Sequence, residues 1–159
     1  MYKIKIREAR LDDKLAIVNL IKSFLIYDGR FAGRYYDNYF EDNRVTGEDL
    51  VLVAEVEKEV VGVIGYCEDY FSNNYSYHLT WFVVDEKFRG WRKGIVAKRL
   101  ITEIEKDLRR YKVKKIFVST EDRPDRCHVF YIKHGFQFEA RLKDYYGKNE
   151  DKIIFGKEL

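Results

Sequence analysis

Cysteine, proline and long apolar runs are scarce in this sequence, and each absence excludes a class of protein. The 159 residues include two cysteines, Cys67 and Cys127, which are too few for a disulfide framework and form no CxxC pair that would indicate a metal site. No apolar run approaches the roughly 20 residues that span a bilayer. The single proline, Pro124, marks no linker. An apolar fraction of 46% beside 36% charged residues excludes a disordered chain.

What is present indicates one soluble domain. The length suits a single domain over residues 1–159. Residues 1–5 alternate charged and apolar types, unlike a signal peptide, so we expect a cytoplasmic protein. Glutamine and methionine each occur once whereas Lys, Glu, Ile and Tyr are plentiful, and this composition favours a thermostable protein.

Apolar periodicity predicts an α/β (or α+β) fold, with a central mixed sheet of six to seven strands flanked by about four helices. Strands are predicted over residues 3–8, 51–56, 60–66, 75–84, 115–120, 136–141 and 152–155. Helices are predicted over residues 12–25, 95–110 and 124–134. Residues 28–49 are expected to be irregular apart from one short helix.

The chemistry concentrates in residues 82–97, where a predicted strand runs into a turn with two glycines and then into a long helix. Free amides at a helix N-terminus carry partial positive charge, and a glycine turn lets an anion approach them closely. The pattern predicts a phosphate-binding cradle, and the alternative is the solvated start of a basic helix. No acid and six basic residues lie between positions 87 and 102: Lys87, Arg89, Arg92, Lys93, Lys98 and Arg99.

Spacing excludes two common phosphate-binding classes. Neither Gly90 nor Gly94 sits in a G-x-x-x-x-G-K-[ST] run, so a nucleoside triphosphatase P-loop is not expected. No G-x-G-x-x-G turn follows an opening strand, as a dinucleotide fold would require. The cradle instead follows the third strand of an antiparallel set.

Three segments resemble the GNAT N-acetyltransferase family. Residues 82–95 resemble its acetyl-CoA motif, whose core is written R/Q-x-x-G-x-G/A, and residues 130–136 (FYIKHGF) resemble its F-Y-x-x-x-G-F segment. Residues 143–155 resemble the tyrosine-containing turn and closing strand of the branch that acetylates protein N-termini. The resemblance covers essentially the whole chain. It implies one GNAT-like domain that uses acetyl-CoA as cosubstrate to acetylate an amine.

The cradle departs from the family motif, and three registers remain open. Each register leaves at least one motif position unmatched. Pro124 also stands where the family often has an asparagine, and proline lacks both the donor side chain and the backbone N–H. If the middle glycine is Gly94, Trp91 and Val96 do not match the motif. If the motif starts at Arg89, Arg92 does not match, and if it starts at Arg92, Ile95 does not match.

The resemblance implies roles for individual residues. The main chain of Phe82, Val83 and Val84 would pair with the pantetheine arm and offer an N–H to the thioester oxygen. Tyr131 would contact the cofactor and act as the general acid that protonates the leaving thiolate. The turn and the start of the helix would wrap the pyrophosphate. The residues that would do so are Arg89, Gly90, Arg92, Lys93, Gly94, Ile95, Val96 and Ala97.

The general base has three candidates. His78 lies on the third predicted strand, and histidine is the side chain that commonly titrates near neutral pH. Glu121 ends the following strand and is expected to face the cleft. A chain of water molecules is the third candidate.

The acceptor site is expected in residues 28–49, which carry acids and tyrosines including Tyr35 and Tyr36. Carboxylates and aromatic faces attract a cationic amine. The resemblance adds Tyr145 and Tyr146, which would face the same cleft. A peptide N-terminus and a small cationic amine both fit this description.

Three functions compete at this point. An N-acetyltransferase is favoured, and the alternative is a catalytically degenerate CoA-binding sensor. A nucleic-acid-binding module that uses the basic helix ranks last, because the net charge is only +3 and no nucleic-acid-binding motif accompanies that helix. We therefore expect an amine or peptide acceptor as partner, no nucleic acid, no membrane, no metal, and a monomer or homodimer.

Overall fold

The computed structural model describes residues 3–24, 28–41, 49–69, 71–72, 75–90, 94–122 and 126–159. Four α-helices lie in these ranges: α1 (Lys14–Phe24), α2 (Asp28–Phe40), α3 (Ile95–Arg110) and α4 (Arg126–Lys133). The strands there are β1 (Ile4–Glu8), β2 (Leu50–Val56), β3 (Glu59–Glu68), β4 (Ser76–Leu79), β5 (Val83–Val84), β6 (Lys115–Glu121), β7 (Gln137–Gly147) and β8 (Glu150–Glu158). The predicted α/β class, with mixed strand pairing and four helices, is confirmed.

The chain forms two compact units. The first comprises Met1–Cys67 and Thr80–Asp107, and the second comprises Glu68–Leu79 and Leu108–Leu159. No helix in the described ranges is long and apolar enough to cross a membrane.

In the first unit, β1, β2 and β3 form an antiparallel meander, and β5 pairs with β3. The β2–β3 hairpin turns at Glu57 and Lys58, which both have positive φ, as the twist of a tight hairpin requires. β2 is a nearly continuous apolar run whose side chains are buried on both faces. The core of this unit is made by α1, α2 and the strands, and it includes Ile17, Ile21, Tyr36, Val51, Val53 and Val63.

An ion cluster ties the start of the first unit together. Arg7 on β1 donates hydrogen bonds to both carboxylate oxygens of Asp13, at 2.6 and 2.9 Å, and to Glu55 on β2 at 2.8 Å. The Arg10 amide also donates to Asp13, at 2.8 Å. The Arg7 guanidinium therefore lowers the pKa of Asp13 below its usual range.

In the second unit, β4 and β6 run parallel, and β8 pairs antiparallel with both β6 and β7. The α4 helix ends at Lys133, and Gly135 follows it with a φ of +85°, the left-handed conformation typical after a helix. Aliphatic and aromatic side chains fill the core here, including Ile116, Val118, Tyr131, Phe136, Ile153 and Phe155.

Two predictions of local structure were wrong. The strand predicted over 75–84 is interrupted, because residues 80–82 lie outside β4 and β5. Residues 28–49 were expected to hold only a short helix, but α2 is 13 residues long, and burial of Ala32, Tyr36 and Tyr39 on one face explains its formation. The predicted bounds of α3 are confirmed at both ends.

Candidate active site

The interrupted strand contains a β-bulge. The Thr80 amide donates to the Gly65 carbonyl at 2.9 Å, and Val83 is the partner of Val63. The three residue steps from Thr80 to Val83 therefore match the two steps from Gly65 to Val63 on β3. Trp81 and Phe82 together lie opposite a single residue of β3. A bulge bends its strand and redirects the main chain, and bulges are frequent beside active sites.

A glycine on β3 brings α3 close to this strand. A Cβ atom at Gly62 would lie 3.0 Å from Leu100 Cδ1 and 3.3 Å from Val96 Cγ1, so no larger residue fits without displacement. The Val96 side chain is fully buried in this contact. Any contact of Val96 with a phosphate would therefore use its backbone amide.

The turn after β5 is held by hydrogen bonds. The Asp85 carboxylate accepts the Lys87 amide at 2.9 Å, and Arg89 Nε donates to the Val84 carbonyl at 2.7 Å. The Arg89 guanidinium also lies 4.8 Å from the ring centre of Phe24 on α1. Arg89 is thus engaged in fixing the turn, a role that the sequence did not indicate.

Two glycines shape the turn by conformation. Gly90 and Gly94 have φ of +74° and +76°, and a Cβ atom at either position would meet no atom within 4 Å. Glycine is favoured here because residues with a Cβ rarely adopt this backbone conformation. Trp91, Arg92 and Lys93, three residues of the predicted cradle, lie outside the described ranges.

The N-terminus of α3 follows directly. The Lys98 amide donates to the Gly94 carbonyl at 3.0 Å, which closes the first helical turn. The amides of Ile95, Val96 and Ala97 therefore belong to the first turn, where N–H groups have no intrahelical acceptor and the helix dipole is positive. Lys98 and Arg99 are exposed, and Arg99 Nη1 donates to the Ile4 carbonyl at 2.9 Å.

Tyr131 lies in the second unit on α4 and is 7% exposed. Its ring packs against those of Phe130, Phe136 and Phe155, with centroid separations of 5.7, 5.5 and 6.0 Å. These contacts fix the orientation of the ring, and a fixed ring is what a positioned proton donor needs.

The candidate bases also lie in the second unit. His78 Nε2 is 3.3 Å from Asp69 Oδ2, and its imidazole stacks on the Phe117 ring at 5.5 Å. Asp69 can therefore orient the His78 ring. Glu121 ends β6, and its carbonyl lies 3.0 Å from His128 Nε2. These contacts do not select between His78 and Glu121.

The two predicted acceptor tyrosines of α2 differ in exposure. Tyr36 is fully buried, whereas Tyr35 is partly exposed, with its ring 5.1 Å from the Trp81 indole. Burial raises the pKa of the Tyr35 hydroxyl, and the charges of Asp49 and Cys67 raise it further. Burial also raises the pKa of Tyr36.

Trp81 was missed by sequence reasoning. It contacts both tyrosines, yet it stands in an uninterrupted strand pattern that gives no sign of a bulge. Gly62 and Gly65 were detectable, because isolated glycines inside a strand indicate close approach of neighbouring atoms. At Gly65, an added Cβ atom would lie 2.4 Å from the Thr80 hydroxyl.

Tyr145 and Tyr146 are exposed near the end of β7, with ring centroids 4.9 Å apart. Lys152 Nζ lies 4.3 Å from the Tyr145 ring centre. The hairpin below them is fixed by Arg141, which contacts Asp151 at 2.5 Å and Asp122 at 2.6 Å. Within the described part of the chain, no group of three or more His, Cys, Asp and Glu residues could hold a metal ion.

Solved structures share this fold over nearly the whole chain. A protein of the GNAT acetyltransferase family from Desulfovibrio desulfuricans has a TM-score of 0.86 at 22% identity, covering 98% of this chain and 99% of its own. A ribosomal-protein-alanine N-acetyltransferase from Brucella melitensis has a TM-score of 0.76 at 22% identity, with coverage of 98% and 99%. An aminoglycoside 6'-N-acetyltransferase complexed with coenzyme A has a TM-score of 0.80 at 18% identity, with coverage of 97% and 96%. At these identities the likeness establishes the fold.

Sequence comparison establishes the family. No curated protein sequence matches the chain. A family model described as an acetyltransferase (GNAT) domain matches residues 47–138, more than half of the chain. The matched stretch contains the bulge, both turn glycines, the start of α3 and Tyr131. The predicted acetyltransferase activity and the predicted cosubstrate, acetyl-CoA, are thereby confirmed, and the chain belongs to the GNAT acetyltransferase family.

Proposed function

We propose that this chain transfers an acetyl group from acetyl-CoA to a primary amine by direct attack of the amine on the thioester. One observation carries the proposal: residues 80–90 and 94–97 combine a strand bulge, two left-handed glycines and the first turn of a helix. A doubly charged pyrophosphate suits such main-chain donors, because their N–H groups and the helix dipole favour an anion.

The residues present fit acetyl-CoA. The amides of Ile95, Val96 and Ala97 would bind the pyrophosphate, and the backbone at Val83 and Val84 would pair with the pantetheine arm, as the family resemblance implies. Acetyl-CoA supplies the acetyl group as a thioester, whose carbonyl carbon accepts the amine while the C–S bond breaks. The main-chain N–H groups at the bulge would stabilise charge on the carbonyl oxygen.

Protons must move at both the sulfur and the amine for the reaction to balance. The phenol of Tyr131 would donate its proton to the leaving sulfur. The cationic amine must lose one proton before it attacks and a second as the amide forms, and His78 paired with Asp69, Glu121 or a water chain would accept them. One of these protons would restore the Tyr131 phenol and the other would leave to solvent, which completes the cycle.

The acceptor is proposed to be a primary amine with a positive charge before it binds. Asp49 lies close enough to raise the pKa of Tyr35, so a carboxylate and aromatic rings occur together there. Tyr35 and Trp81 offer faces for a cation, and Asp49 offers a counter-charge. Tyr145 and Tyr146 remain predicted acceptor residues, whereas the fully buried Tyr36 packs against Trp81 and would support the site from within the core.

The acceptor class is proposed as a peptide N-terminus or a small cationic amine. The fold neighbours include enzymes for ribosomal-protein alanine and for aminoglycosides, so both classes belong in the screen. The proposal extends to a cytoplasmic location and to thermal stability. The latter predicts an unfolding midpoint above the roughly 45–65 °C range of mesophile domains, measured by calorimetry.

Titration calorimetry of acetyl-CoA and of free CoA tests the donor half of the proposal. Micromolar binding followed by amine-dependent thiol release would support it. Binding without release for any peptide or polyamine would instead favour the degenerate sensor, a reading that the engagement of Arg89 in the turn also supports. Absence of binding would contradict both.

A further inference from the structure

Exposed rings and cations meet at one end of the second unit, and the proposed reaction assigns them no role. We name this surface the basic–aromatic end and define it by Phe71, Tyr75, Tyr111, Lys112 and Lys114. The Tyr75 carbonyl accepts the amides of Lys114 at 3.0 Å and Lys115 at 3.3 Å. The loop before β4 therefore lies directly against the segment that joins α3 to β6.

The described residues around Phe71 are connected by hydrogen bonds. The Ser72 hydroxyl lies 2.9 Å from the carbonyls of both Asp69 and Ser76, and the Asp69 carboxylate accepts the Phe71 amide at 3.1 Å. The Tyr75 amide donates to the Ser72 carbonyl at 3.0 Å. Phe71 is nevertheless 97% exposed. A fixed loop that holds a phenyl ring in solvent gains no burial energy from it, which indicates a binding role.

The second side of the surface is equally well fixed. Lys112 adopts a φ of +60° after α3, and the Val113 amide donates to the Leu108 carbonyl at 3.2 Å. Val113 is buried and anchors this turn, while Tyr111 and Tyr75 remain 64% and 60% exposed. Three aromatic rings are thus presented by rigid backbone.

The segment from 109 to 115, which forms one side of this surface, carries charge of one sign, whereas Asp69 lies in the loop on the other side. Five of the seven residues from 109 to 115 are basic and none is acidic. Arg109 and Arg110 complement the negative C-terminal dipole of α3, which is a sufficient structural reason for them. Lys115 pairs with Glu139 at 2.6 Å. Lys112 and Lys114 lie beyond the helix and are exposed, so helix stabilisation does not account for them.

We propose that the basic–aromatic end binds single-stranded nucleic acid. Lysine and arginine would contact phosphates while bases stack on the exposed rings, which is the combination that sequence-tolerant single-strand binding uses. An acidic peptide would need the lysines of this surface, but it would not need three exposed aromatic rings. A membrane surface would favour exposed aliphatic side chains beside the rings, and the defining residues include none. The expectation of no nucleic acid rested on the nearly balanced total charge and on the lack of a nucleic-acid-binding motif beside the basic helix, and total charge hides this local segregation.

Binding is measured without acetyl-CoA, so this inference stands or falls independently of the proposed reaction. A fluorescein-labelled oligouridine of about 20 nucleotides is titrated with the protein, and fluorescence anisotropy is followed between 50 and 200 mM NaCl. Four phosphate contacts would give a slope of log K against log salt of about −3. Micromolar binding at 50 mM salt with a clear salt dependence is expected.

Two paired variants separate charge from stacking. Lys112→Glu with Lys114→Glu should weaken binding at least tenfold and reduce the slope by about 1.4, since two phosphate contacts are lost. Phe71→Ala with Tyr75→Ala should weaken binding at least fivefold and leave the slope unchanged. Two matched controls should bind as the wild type does. One is Lys3→Glu with Lys5→Glu, at exposed positions just before and within β1, and the other is Phe138→Ala, exposed on β7.

Three results would overturn the proposal. One is no anisotropy change at 50 mM salt. Another is equal loss of binding in the variants and their controls. The third is binding of phosphatidylserine vesicles or polyglutamate in place of the oligonucleotide. Thermal unfolding confirms that each variant folds, and Lys112→Gln with Lys114→Gln replaces the charge reversal if that variant does not.

Discussion

The proposed cofactor region lies in the first unit and the proposed general acid lies in the second, and the two rely on different kinds of chemical group. Residues 80–97 offer main-chain groups, set by a bulge, two left-handed glycines and a helix start. The second unit offers side chains, above all the Tyr131 phenol held among three aromatic rings. One region depends on backbone shape and the other on single functional groups.

This difference predicts that the proposed cradle tolerates departures from the family motif. A backbone N–H is present whatever the side chain, so Val96 can pack in the core and still present its amide to a phosphate. The requirement falls on conformation, at Gly90 and Gly94. By contrast, no backbone group can replace the phenolic proton of Tyr131. We therefore expect sequence changes to have graded effects in the cradle and abrupt effects at Tyr131.

The largest effect is expected for Tyr131→Phe. Loss of a positioned general acid should lower kcat by about 10²-fold or more, while the Kd for acetyl-CoA changes less than twofold because the ring remains. Steady-state thiol release and calorimetry measure the two quantities. Tyr111→Phe, which alters an exposed phenol, is the control. An unchanged kcat would show that Tyr131 is not the general acid, and the proposed difference between the two regions would then be wrong.

The second effect is expected for Gly94→Ala. Alanine in the left-handed conformation costs about 1–2 kcal/mol, so the turn should relax and the Kd for acetyl-CoA should rise about tenfold. Gly33→Ala is the control, because this position is inside α2, has no positive φ and leaves room for a Cβ atom. It should raise stability by up to about 1 kcal/mol and leave the Kd unchanged. Equal behaviour of the two variants would show that backbone conformation does not form the cradle.

The same contrast describes what the sequence could predict. The α3 helix was predicted with its observed bounds because Ile101, Ile104 and Leu108 follow helical spacing after a glycine. The bulge could not be predicted, since Thr80–Trp81–Phe82 continues an apolar strand pattern without glycine or proline. Its register depends on pairing with β3, which is a long-range contact.

Helix α2 was underestimated for a different reason. Its buried residues Ala32, Tyr36 and Tyr39 recur at helical spacing, but glycine and polar residues between them suggested a loop. Tyrosine is also ambiguous because it has an apolar ring and a polar tip. Tyr36 was selected as a surface residue for an acceptor, yet the fold buries it entirely. Composition identified residues 28–49 as the candidate acceptor segment, whereas packing in the folded chain decides which of its tyrosines is exposed to solvent.

The third-largest effect is expected at the proposed acceptor site of the first unit, where a side-chain charge and not the backbone is changed. Asp49→Asn removes the charge proposed to attract the cationic amine, so the KM for the amine should rise about fivefold, in line with the modest value of a partly exposed charge pair. The Kd for acetyl-CoA should not change. Glu59→Gln, an exposed carboxylate at the start of β3, is the control. A parallel rise in both constants would mean that Asp49 supports the fold and does not contact the amine.

The smallest effect is expected in the acid stability of the first unit. The hydrogen bond from Arg7 lowers the pKa of Asp13 in the folded chain, so the ionised carboxylate contributes stability above the unfolded pKa of about 3.8. That contribution is lost as the pH falls through the lower folded pKa. Arg7→Gln should therefore lose less stability than the wild type between pH 5 and pH 3, measured by urea unfolding. Asp12→Asn, which changes an exposed neighbouring carboxylate, should follow the wild-type curve. Parallel pH curves for Arg7→Gln and the wild type would show that this ion cluster does not govern the acid stability of the first unit.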